Sequence, residues 1–150
     1  PLVGRPTLSV GTIVGGMAVN IVPELCQIMV DRRLIPGETP DGAFDEIAEA
    51  LDGILEPGDD LAHTLKDWPV ETDRNAGIVE TVREAVRAIG GEDEPEGAPY
   101  CTDGCDFAER GVPLVVFGPG DIAQAHTAGE WVEVAQVEAA VDAYELMMRG

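Results

Sequence analysis

Two histidines occur in the 150 residues, and His126 sits where a side chain could do chemistry. It follows the apolar run Leu114–Phe117 and the chain-breaking loop Gly118-Pro119-Gly120, and Glu130 stands four positions beyond it. Imidazole is a borderline ligand suited to zinc, and a loop leaves it free to turn inward. A histidine alone makes no catalytic metal site, because such a site takes about three protein ligands. Asp103 closes a second short stretch, Ala98–Thr102, and precedes Gly104; its nearest local reading is an N-cap for a helix starting near Cys105. Gly118-Pro119-Gly120 is either a plain turn or a place where backbone N–H groups approach a ligand closely. Arg32 and Arg33 stand side by side at a strand end. Such a pair is usually a solvated edge, but a guanidinium fork also matches a carboxylate bidentately.

The elements that must position these groups can be read from periodicity. Leu114–Phe117, bounded by Pro113 and Gly118, has the look of a strand buried on both faces. Ala98–Thr102 reads as its neighbour, with Asp106–Arg110 as a short crossover helix. Ligands gather at the carboxyl ends of strands in an open α/β sheet, so Asp103, the Gly-Pro-Gly loop and His126 are expected at one sheet edge. Ile78, Val79, Val82, Val86 and Ile89 mark an amphipathic helix closed by Gly90-Gly91, and Val134, Val137, Val141, Tyr144 and Met148 mark the last helix. Earlier, Thr7–Val14 and Leu25–Arg33 read as strands around the Gly15-Gly16 turn and Pro23. Thr39-Pro40-Asp41 starts a helix with Phe44, Ile47, Ala48, Leu51 and Leu55 on one face. Leu61–Glu71 reads as a ragged strand, and Thr72–Asn75 as a boundary. The expectation is an α/β C-terminal part, 72–150, preceded by part of an α+β domain, 1–71.

A net charge of −20 repels the phosphates of nucleic acids and anionic membranes, so neither is expected as a partner. The acidic residues are spread along the chain, as on a solvated surface. No apolar run approaches the roughly 18 residues of a membrane-spanning helix. Cys26, Cys101 and Cys105 are expected to be reduced, small core residues, which favours a cytoplasmic protein. His63 has no acid two residues on and is expected at the surface. The opening at Pro1, without a methionine, leads to the expectation of a piece of a longer protein.

The order Thr102-Asp103-Gly104, Gly111-Val112-Pro113, apolar run, Gly118-Pro119-Gly120 and Ala125-His126-Thr127-Ala128-Gly129-Glu130 resembles the C-terminal end of the catalytic domain in the M20 family of metallopeptidases and amidohydrolases. That family includes acetylornithine deacetylases, succinyl-diaminopimelate desuccinylases, aminoacylases and carboxypeptidases. Residues 1–71 resemble the second part of its ferredoxin-like lid, or dimerisation, domain, through Gly15-Gly16, Asn20-Ile21-Val22-Pro23, Asp31-Arg32-Arg33 and Pro36-Gly37-Glu38.

The resemblance implies an intact zinc-dependent amidohydrolase acting on N-acyl or peptide bonds of amino-acid-like substrates. Two zinc ions would serve each active site, with cobalt as an alternative, in a homodimer joined through the lid. It implies His126 as a metal ligand, with Asp103 and Glu130 as its outer support. It also implies Gly118 as a substrate contact, Arg33 as the substrate-carboxylate arginine thirteen residues after Asn20, and Asn20 as a lid residue facing substrate. The family's His-x-Asp pair, bridging Asp and Glu-Glu pair, which holds the general base, have no counterpart here, so the 150 residues by themselves are expected to be inactive. The alternative is a non-catalytic dimerisation or binding module left by a truncated gene.

Overall fold

The structure is a computed structural model in which residues 2–149 are described. It divides into two compact units, Pro1–Pro69 and Val70–Gly150.

In the first unit, β1 (Thr7–Gly15) pairs antiparallel with β2 (Cys26–Arg33). The register runs from Thr7 opposite Arg33 to Gly15 opposite Cys26, and it slips between Val10 and Thr12. Gly11 is thus the extra residue of a bulge. Both faces of this ribbon are exposed, and the one half-buried side chain on either strand is Arg32. Alternation along β2 named no buried face, and within this unit neither face is buried. Cys26 is therefore exposed rather than a core residue.

Helix α1 (Pro40–Ala50) begins as its sequence dictates. Thr39 Oγ1 accepts the Gly42 N–H at 3.0 Å, Pro40 occupies the first turn, and Asp41 lies near the positive end of the helix. Arg32 ties the ribbon to this helix: its guanidinium donates to Glu38 at 2.8 Å and to Glu46 at 3.1 Å, with the side chain only 14% exposed. Glu38 also accepts the Ile35 N–H at 2.9 Å. The Arg32 hydrogen bond holds the Glu38 carboxyl below its usual range.

The sign of the resulting pH dependence follows from linkage. A carboxyl depressed on folding stabilises the fold above its unfolded pKa, about 4.3, and that contribution is lost as pH falls through the lower folded value. Arg32→Ala should cost about 1–3 kcal/mol in urea unfolding at pH 7, and the deficit should shrink below about pH 4. A deficit independent of pH would mean that packing of the arginine stem, not the ion pair, carries the effect.

Leu61–Glu71 forms no strand. Side chains rather than a backbone ladder hold this segment to α1: the His63 ring stacks on Phe44 at 4.2 Å, and Lys66 bonds Asp41. Pro69 also lacks the N–H a ladder would use. His63 is consequently part-buried against the helix rather than a plain surface residue.

The second unit is helical, with extended connections. Helices α2 (Gly77–Ala88) and α4 (Val134–Arg149) pack together, burying Val79 and Ala85 from one, and Ala140 and Ala143 from the other. Alanines at the contact let the helices approach closely. Asp93 accepts from Arg87 at 2.7 Å and Arg83 at 3.1 Å, which fastens the acidic loop after α2 to that helix. Helix α3 is the single turn Cys105–Ala108, and Cys105 is buried. Cys101 is exposed, contrary to the expectation of a core thiol, because its segment joins no sheet.

Leu114–Phe117 is extended but belongs to no sheet, and Val116 is 52% exposed. The strand expected from its composition needs a neighbouring strand, and among the described residues of this unit none pairs with it. Two side chains take the place of a ladder. Thr72 Oγ1 donates to the Leu114 carbonyl at 2.6 Å and accepts its N–H at 3.0 Å. Tyr144 donates to the Phe117 carbonyl at 2.8 Å and meets the Phe117 ring edge-on at 5.3 Å. Ala98–Thr102 likewise lacks a ladder. The sheet edge on which Asp103 and His126 were expected is thus absent among the described residues of this unit.

Candidate functional site

The segment from Gly118 to Glu130 is a sequence of locally bonded turns. Gly120 has φ +101°, a backbone conformation that side chains rarely adopt, so the turn favours glycine at this position. Gly118 has no such constraint, since a Cβ on it would meet nothing within 4 Å. Asp121 caps a 3-10 turn, Ile122–Gln124, by accepting the Ala123 N–H at 2.9 Å. Thr127 Oγ1 then donates to the Gln124 carbonyl at 2.8 Å. A cavity of about 200 Å³ flanks this loop, walled in part by Gly120, Asp121, Gln124 and Trp131.

His126 has φ +61°, the one non-glycine residue with positive φ among those described. A left-handed backbone crowds Cβ against the following carbonyl and costs roughly 1–2 kcal/mol. Glu130 Oε2 accepts the His126 main-chain N–H at 3.2 Å. A hydrogen bond to a charged acceptor contributes about 1.5–3 kcal/mol when sheltered and less at an exposed site, so the two effects are of similar size. The imidazole is exposed, and among the described residues no side chain bonds to its ring. The protein holds the backbone of His126 and leaves its ring available.

Asp103 is exposed and caps nothing. Gly104 is the residue before α3, without a side-chain cap, and its N–H goes instead to Thr102 Oγ1 at 3.2 Å. Gly104 itself is tightly enclosed, since a Cβ there would come within 2.9 Å of Thr102 Oγ1 and 3.1 Å of Leu114 Cδ1. Among the described residues, no set of three His, Cys, Asp or Glu side chains that includes His126 lies close enough to share one ion. His126 thus fits a metal as one ligand, not as a closed site.

In the first unit, Asn20 is exposed in the turn between β1 and β2. Arg33 ends β2 with its side chain 56% exposed and bonded through Nε to Asp31 at 2.8 Å. Arg32, by contrast, is committed to Glu38 and Glu46. The two adjacent arginines therefore differ in kind: one braces the fold and the other presents its guanidinium to solvent. Sequence reasoning did not find Thr72 and Tyr144, the two residues that hold Leu114–Phe117. Neither carries a local signal, because both partners are backbone groups far along the chain.

A family model described as "Peptidase family M20/M25/M40" matches residues 2–150. The chain belongs to this M20 family. Over 133 residues it is 36% identical to an acetylornithine deacetylase of Myxococcus xanthus, covering 85% of this chain and 33% of that protein. Over 143 residues it is 32% identical to a putative succinyl-diaminopimelate desuccinylase of Mycobacterium tuberculosis, covering 92% of this chain and 37% of the relative. The chain spans about a third of the length of the curated relatives it matches. The crystal structure of an M20 family metallo-carboxypeptidase, Sso-CP2 from Sulfolobus solfataricus, superposes with a TM-score of 0.70 at 20% identity, over 99% of this chain and 36% of that one. That likeness is one of fold, and it places this M20 chain in an α/β hydrolase-type architecture. Membership in M20 implies a metal cofactor, and the exposed, unengaged ring of His126 is chemically suited to ligate it.

Proposed function

We propose that the whole protein is a zinc-dependent amidohydrolase of the deacetylase or desuccinylase type, releasing an acyl group from the nitrogen of an amino-acid-like substrate. The observation that carries this reading is His126: within a chain matched over residues 2–150 by the M20 model, its backbone is held in a left-handed turn and its ring is left exposed for a metal. The names of the relatives support the reaction class, since one is a deacetylase of acetylornithine and the other a putative desuccinylase of succinyl-diaminopimelate.

In this proposal residues 1–71 are part of a lid and 72–150 the C-terminal part of the catalytic domain. His126 holds one zinc ion of a pair, with cobalt as an alternative, and Asp103 and Glu130 support it. Gly118 offers its backbone to the substrate, with no side chain to obstruct the approach. Arg33 pairs with the substrate carboxylate, and its solvent-facing guanidinium is what that role requires. Asn20 faces the substrate from the lid. A bound zinc pair supplies a water nucleophile at neutral pH and an electrophile for the scissile carbonyl. No residue of this chain is assigned as general base. The protein is further proposed to be cytoplasmic.

The direct test is hydrolysis of N-acetyl and N-succinyl amino acids by the full-length protein, before and after chelation of its metal. Turnover that is lost on chelation and restored by zinc is the expected result. Turnover that persists without metal would overturn it. A homodimer joined through residues 1–71 is expected in light scattering at micromolar concentration, and a monomer there counts against the lid assignment.

A further inference from the structure

We infer that Glu130 is a positioning residue that aims the His126 imidazole by holding its backbone, and not by contact with the ring. The inference rests on the proposal that His126 is a metal ligand. The carboxylate four residues after a ligand histidine would ordinarily be sought on the far ring nitrogen, where it fixes tautomer and orientation. Here it goes elsewhere: Glu130 Oε2 accepts the main-chain N–H of His126 at 3.2 Å. That amide belongs to the one described non-glycine residue with positive φ.

The direction of a side chain leaving the backbone depends on φ. If His126 relaxed from +61° to the ordinary negative range, its Cα–Cβ bond would swing to a different side of the loop. On the N-terminal side the chain is fastened by Asp121, which accepts the Ala123 N–H, and the turn through His126 is closed by Thr127, whose N–H and Oγ1 both donate to the Gln124 carbonyl. Within that turn the Glu130 carboxylate is the side chain that engages the His126 amide itself. The group acts as a hydrogen-bond acceptor, and an uncharged oxygen in the same place can take the same N–H. A glutamine, whose carbonyl oxygen accepts the same N–H, should replace it, and an alanine should not.

The test uses the full-length enzyme stripped of metal, titrated calorimetrically with zinc, in the variants Glu130→Ala, Glu130→Gln and His126→Ala. Glu130→Ala should bind the zinc ion assigned to His126 roughly 10–100-fold less tightly, the range typical when support of a metal ligand is lost. Glu130→Gln should stay within about twofold of the parent. The rescue by glutamine is the readout that general loop damage would not give. If the two Glu130 variants bind zinc equally poorly, the carboxylate charge rather than its grip on the backbone is responsible, and the inference fails. If Glu130→Ala binds zinc like the parent, it fails also. Should Glu130→Ala not fold, Glu130→Gln still decides, because a tenfold loss there refutes the acceptor role. His126→Ala separates this inference from the reading beneath it: a variant that keeps both ions shows that His126 is no ligand, whatever Glu130 does.

Discussion

Replacing His126 by alanine in the full-length protein should lower its zinc content from two ions per active site toward one and remove hydrolysis by at least roughly a hundredfold. Even outer partners of a metal ligand typically contribute about 10–100-fold, and a ligand itself contributes more. The expectation follows from the geometry of the loop. The ring is exposed and unengaged, while the backbone beneath it sits in a conformation that costs roughly 1–2 kcal/mol and is held by Glu130. Strained residues concentrate where their geometry is used. Metal analysis alongside turnover decides the matter: full zinc occupancy in the variant removes His126 from the ligand set. In the 150 residues alone His126 should hold zinc only weakly and no amidase activity should appear, because one imidazole falls short of the roughly three protein ligands a catalytic zinc takes. A tight calorimetric site in the isolated chain that disappears in His126→Ala would contradict this.

Arg33→Ala should lower kcat/KM of the full-length enzyme by roughly two to three orders of magnitude, equivalent to about 3–4 kcal/mol, as for loss of a charge-assisted pair with a substrate carboxylate. Arg32→Ala should affect substrate use much less and stability much more. The structure provides the reason for the contrast. Arg32 is turned inward to Glu38 and Glu46, while Arg33 ends the same strand more than half exposed, its Nε bonded to the exposed Asp31. Kinetics and urea unfolding on the two variants form a crossed test. If both arginines reduce kcat/KM equally without loss of stability, the assignment of Arg33 to substrate is wrong.

Much of the local structure was legible in the sequence because its causes are local. Thr39-Pro40-Asp41 specified the start of α1, and the 3.6-residue spacing of Ile78, Val79, Val82 and Val86 specified α2. β-branched runs marked β1 and β2 to within a residue or two, and the ordered motifs from Thr102 to Glu130 pointed to the M20 family. The errors fell where an apolar run was taken to carry its own neighbours. Leu114–Phe117 has the composition of a buried strand, but a ladder needs a second strand, and composition says nothing about whether one is beside it. The same gap placed Cys26 and Cys101 in a core when their segments are exposed on the surface.

The sequence by itself determined the helices, the ribbon, the acidic surface and the family, because each depends on residue types at short spacing. Only the tertiary structure decided the partners of individual groups. It put Arg32 inside and Arg33 outside, stacked His63 on Phe44, and gave the ends of Leu114–Phe117 to Thr72 and Tyr144. It also gave Glu130 to the amide of His126 rather than to its ring, and set that histidine in a left-handed turn. Such choices depend on backbone direction and on atoms brought close by folding, and a pattern of residue types does not encode either in isolation.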